Sequence, residues 1–67
     1  MYLIARMQPG SGRESDWLVA LSPMSEQIQV TRTRQNARRF KSESDAGAVR
    51  DMVAAMASSY TWRVVEA

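Results

Sequence analysis

The chain contains no cysteine and no histidine. Together those absences remove the imidazole base, the thiolate nucleophile, the disulfide staple and the usual structural-zinc ligands. Lysine occurs once, at Lys41, with no serine three residues before it. The many serines are therefore without a partner base, and a serine nucleophile needs one. Long hydrophobic runs are missing too. The longest, Trp17–Leu21 and Met52–Ala57, fall far short of the roughly 20 residues a membrane helix requires. Met1 leads directly into Tyr2-Leu3-Ile4-Ala5 with no basic segment ahead of a cleavable apolar stretch, so the expected compartment is the cytosol. These gaps point away from catalysis and from any cofactor or metal, and toward binding.

What is present is a chain of 67 residues, 45% hydrophobic, with a net charge of +2. That content belongs to a globular chain, and the length to a single small domain, 1–67. A domain this short buries only about 60% of its unfolded surface, so its stability is marginal. With disulfides excluded and metal ligands scarce, the remaining sources of support are a homodimer or a bound partner.

Residues Tyr2–Met7 alternate, with Tyr2, Ile4 and Arg6 on one side and Leu3, Ala5 and Met7 on the other. Pro9-Gly10-Ser11-Gly12 ends that strand. A second strand is expected over Asp16–Leu21, and Ser22-Pro23-Met24-Ser25 reads as a turn. Gln27–Thr33 has the clearest period of two, Ile28 and Val30 opposing Gln27, Gln29, Thr31 and Thr33. Three strands joined by short polar turns predict an antiparallel meander.

The period then changes. Ser42-Glu43-Ser44-Asp45 fits a capping box, and its acids suit a helix N-terminus. Val49, Met52, Val53 and Met56, joined by Ala46, predict a helix from about Glu43 to Ala57 whose stripe, both methionines included, fills the core. Gly47 weakens that helix by about 1 kcal/mol relative to alanine. A last strand follows over Tyr60–Val65. The fold class is α+β: a four-stranded, mainly antiparallel sheet (β-β-β-α-β) with one helix on one face. The other face is left to water or a partner. Crossover rules predict a last strand parallel in sense to the third and docked beside the first, giving the order 3-2-1-4. Trp17 and Trp62 are both expected where sheet meets helix.

Candidate binding residues cluster. Arg32, Arg34, Arg38, Arg39 and Lys41 place five of the nine basic residues within ten positions, with no acid among them. Eight of the nine are arginine, the side chain suited to planar, bidentate recognition of carboxylate or phosphate. Gln27, Gln29 and Arg63 join them as polar strand positions facing outward. The carboxylate pairs Glu14/Asp16, placed in a hairpin loop, and Glu43/Asp45 read as solvated charge, and Gly10-Ser11-Gly12 as a hairpin turn. The expected partner is the acidic surface of a larger protein or ribonucleoprotein complex, with nucleic acid as the alternative and no membrane.

Two resemblances bear on this. The run Ala37-Arg38-Arg39-Phe40-Lys41-Ser42-Glu43-Ser44-Asp45-Ala46, with Val49, Met52 and the closing Trp62-Arg63-Val64-Val65-Glu66, resembles very small phage and prophage proteins that have three N-terminal strands, a helix entered in this way and a final strand. Members of that size class include anti-CRISPR and other host-takeover inhibitors. The resemblance implies a non-enzymatic inhibitor that occludes a host surface. Trp17-Leu18-Val19-Ala20 and Phe40 through Ala46 are also similar to the sheet-plus-helix DNA-binding domains of plant ethylene-response factors and phage integrases, which lay arginine-bearing strands in the major groove. Here the first two strands carry only Arg6, Arg13 lies in a loop, and a fourth strand follows.

Overall fold

Gln8 through Arg13 turn the chain through a hairpin in which Gly10 and Gly12 take left-handed φ values of 78° and 69°, which glycine adopts without steric cost. The computed structural model describes residues 1–67. On either side of this hairpin lie β1 (Tyr2–Met7) and β2 (Glu14–Ser22), followed by β3 (Gln27–Thr31), a 3-10 turn (Arg34–Asn36), the helix α1 (Glu43–Met56) and β4 (Thr61–Glu66). The second strand begins at Glu14, two residues before the expected start at Asp16, because Glu14 and Asp16 are strand residues rather than loop. The third ends at Thr31, where the chain bends away.

The sheet order is β3-β2-β1-β4, as the patterning implies, and every neighbouring pair is antiparallel. The sense of β4 departs from expectation. It runs opposite to β1, and so opposite to β3, instead of parallel to β3. The cause is the linker 32–42. It carries the chain back along the length of the sheet, so α1 starts near the Tyr2 end and β4 must return toward it.

That linker is built into the sheet. A bulge between Leu18 and Ala20 accompanies the divergence of the lower half of β2 from β1. Residues 38–40 occupy the resulting gap: Arg38 N–H donates to the Leu18 carbonyl at 2.9 Å, and Phe40 and Tyr2 exchange two backbone bonds of 2.9 Å each. The linker begins against the face opposite the helix and delivers Phe40 to the helix side. There Phe40 joins Ile4, Leu18, Ala46, Val53 and Trp62 in the core.

α1 starts where Ser42 Oγ accepts from Asp45 N–H at 3.0 Å, one half of the capping box. Replacing Ser42 by alanine removes that acceptor and is expected to cost about 1 kcal/mol in chemical denaturation. The helix packs on β1 and β4, with Ala46, Val49, Val53 and Ala57 turned to the sheet. Met52 is therefore not core: it is 45% exposed, with Met56 half-buried outside the main cluster. Trp62 is buried as expected. Trp17 is not at the helix interface, because its register partners Ala5 and Thr31 place it on the opposite face.

Candidate partner-binding surface

The face away from α1 was expected to be free, and part of it is covered. Leu3, Ala5 and Met7 point to that side, yet they are only 1%, 0% and 7% exposed. The 3-10 turn lies beside Leu3, with Arg34, Gln35 and Arg39 grouped around it. Arg34 Nη1 donates to Glu14 Oε1 at 3.0 Å, Trp17 Nε1 donates to the same oxygen at 2.8 Å, and Arg34 Nη2 donates to the Glu66 carbonyl. The Arg34 guanidinium also sits 5.9 Å from the Trp17 ring. Arg34 thus spans β2, β1 and β4 as a clamp, its charge matched within the chain.

The Glu14/Asp16 pair, read from sequence as solvated charge, is engaged instead. Glu14 holds Arg34 and Trp17. Asp16 is 5% exposed and forms a two-point pair with Arg6, Nε to Oδ1 at 2.7 Å and Nη2 to Oδ2. The Arg6 guanidinium stacks 4.6 Å from the Tyr60 ring and 6.0 Å from Trp62. Hydrogen bonding to Asp16 raises the Arg6 pKa above the ordinary arginine value despite the opposing effect of burial. A raised pKa stabilises the fold at every pH below that range, so Arg6 stays charged throughout. The sequence carried a signal for this pair. Arg6 shares a strand face with Tyr2 and Ile4, and an arginine on an apolar face calls for an acid directly opposite.

With Arg6, Arg34 and Arg50 each paired to a carboxylate, the unpaired cations are Arg13, Arg32, Arg38, Arg39, Lys41 and Arg63, all exposed. The structure brings three of them together. Arg38, Arg39 and Lys41 rim a shallow depression of about 440 Å³ whose other walls are Phe40, Asp45, Ala48 and Val49. Arg38 lies 5.1 Å from the Phe40 ring centroid, an arrangement that steadies the guanidinium without neutralising it. Arg39 also borders a second depression with Leu3, Arg34, Gln35 and Ala67. The remaining candidates are dispersed. Arg32 follows the end of β3, and Gln27 and Gln29 lie exposed on β3 at one edge of the sheet. Arg63 lies on β4 at the other edge, beside the hairpin residues Gly10 and Gly12.

Chemically, the depression offers hydrogen-bond donors and positive charge around an apolar floor. It holds no nucleophile with a base beside it. Sequence reasoning missed its apolar half, since Val49 was absorbed into a core stripe and Ala48 carried no signal of its own. No protein-family model, curated protein or solved structure matches the chain.

Proposed function

We propose that this chain is a non-enzymatic binding module that docks on an acidic protein surface through Arg38, Arg39 and Lys41 and acts by covering that surface. The observation that carries this reading is the sorting of charge. Arginines facing the sheet are matched by carboxylates of the chain itself, whereas three adjacent linker cations stand unmatched around an apolar depression. Arginine at such a site is a common source of binding energy. The helix entry Ala37–Ala46 resembles that of very small phage and prophage proteins, a size class that includes host-takeover inhibitors, and this favours an occluding role against a host complex.

Protein is favoured over nucleic acid by the state of the sheet. The sheet face that a groove-reading domain would present has its tryptophan bonded to Glu14 and overlaid by Arg34.

The test is a fluorescence anisotropy titration with a labelled 16-residue polyglutamate peptide and a labelled 16-base-pair duplex. The peptide is expected to bind more tightly than the duplex at equal salt. Changing Arg38, Arg39 and Lys41 together to alanine is expected to weaken peptide binding at least thirtyfold, equivalent to about 2 kcal/mol. Tighter binding of the duplex, or a triple variant that binds the peptide like the parent, overturns the proposal.

A further inference from the structure

The helix covers only half of the sheet. α1 lies on β1 and β4, while Leu21, Ile28 and Val30, on the helix side of β2 and β3, remain half-buried at the margin of the core. Facing this uncovered half is the flank of α1 that continues from the cationic depression. Asp45, Val49, Met52 and Met56 follow one another at helical spacings of four and three, with Ala48 next to Val49 in the depression. From Ala48 to Met56 that flank extends about 12 Å. Its two methionines are flexible thioethers suited to adapting to an incoming surface. Because Glu43, Gly47 and Arg50 lie beside Trp62 and Val64 of β4, helical phase turns the opposite flank, with Val49, Met52 and Met56, toward the β2–β3 ribbon, and the apolar margin between the two is termed the trough. Arg38, Arg39 and Lys41 stand where it meets the linker, and Arg32 lies two residues beyond Val30.

We infer that the partner presents to this trough an amphipathic acidic segment, its carboxylates on the linker cations and its apolar side chains along Met52, Ile28 and Val30. This inference rests on the acidic-partner reading above and adds the apolar half of the recognition. Charge complementarity selects the occupant. A trough that is apolar along its length and cationic at the linker matches a segment with acids beside a hydrophobic stripe. A second copy of the chain fits less well, because a two-fold axis through the trough would set one copy's cations against the same trough on the other.

Three labelled 16-residue peptides separate the contributions. The first is polyglutamate. The second is an acidic amphipath with leucines at i, i+3, i+4 and i+7, and the third is a scramble of its composition. The amphipath is expected to bind at least tenfold more tightly than either of the others and to shift the methyl resonances of Ile28, Val30 and Met52. Met52→Gln, a change at an exposed helix position, is expected to reduce that advantage to threefold or less while leaving polyglutamate binding unchanged. Equal binding of all three peptides, or methyl shifts confined to residues outside the trough, overturns this inference. The acidic-partner reading survives that result as long as the Arg38, Arg39 and Lys41 triple variant still loses polyglutamate. Failure of the parent protein to bind any of the peptides removes both. Sedimentation showing a micromolar dimer that Met52→Gln dissociates assigns the trough to a second copy and also overturns the inference.

Discussion

Arg6→Ala is expected to destabilise the fold by about 3–5 kcal/mol. The reason lies in what the substitution leaves behind. Asp16 is almost fully buried, and both its carboxylate oxygens are satisfied by the Arg6 guanidinium. Without that partner, a charged carboxylate sits on the helix side of the sheet with no donor, or takes up a proton at a cost. Loss of the guanidinium also strips the Tyr60 ring of the cation stacked on it. A loss of about 4 kcal/mol is a large share of the roughly 5–15 kcal/mol that holds a typical domain together. In a chain this short it lowers the thermal midpoint by roughly 20 °C. The reverse truncation, Asp16→Ala, should cost less, because the Arg6 side chain retains about a quarter of its exposure and can turn toward water. Replacing both by apolar residues of similar volume should recover part of the loss, since a buried pair is costly to break but not costly to exchange. Calorimetry on the two single variants and the double variant measures the coupling. An Arg6→Ala midpoint within a few degrees of the parent would show the pair to be ornamental.

Phe40→Ala is the second large effect, with an expected loss of about 3–4 kcal/mol. Phe40 is the only aromatic residue in the chain segment that enters the gap between β1 and β2, and its ring joins Ile4, Leu18 and Val53 in the core. Truncation leaves a gap between sheet and helix, next to the depression that Phe40 borders. Two further consequences follow from its position. The backbone bonds that Phe40 exchanges with Tyr2, and the Arg38 bond to Leu18, lose the side chain that holds them in place. Their amides should exchange with solvent faster than the rest of the sheet, to a degree beyond the global loss of stability. Arg38 loses its ring as well, so polyglutamate binding should weaken although no cation has been removed. Hydrogen exchange that accelerates uniformly across the sheet would show that the linker has no local dependence on Phe40.

The fold was legible where pattern and geometry coincide. Ile28 and Val30 alternating with Gln27 and Gln29 mark a strand with one apolar side, and the two short polar turns leave little choice but a meander. Ser42 and Asp45 announce the helix at its correct first residue. Three features were not legible, each for a physical reason. The linker's entry into the sheet depends on a bulge at Val19, which leaves no periodic trace, and on Ala37 and Phe40, two isolated apolar residues. The exposure of Met52 depends on where the helix sits. Centring α1 over β1 and β4 rotates its contact stripe toward Ala46, Val53 and Ala57 and turns Met52 out. The fate of Arg34 depends on tertiary reach. Within its own segment it looks like its neighbours Arg32 and Arg38, and only the folded chain brings Glu14 and the Glu66 carbonyl to it.

Met1 and Ala67 lie side by side, Ala67 N–H donating to the Met1 carbonyl at 2.9 Å, and Ala67 borders the depression that Arg39 flanks. Anything appended at either terminus, whether a purification handle, a fluorophore or more polypeptide, therefore emerges at the same corner of the molecule, next to the cationic linker. A flexible extension there sweeps the volume an incoming acidic partner must enter, so reporters are better attached at Ser11 in the β1–β2 hairpin, at the opposite end of β1.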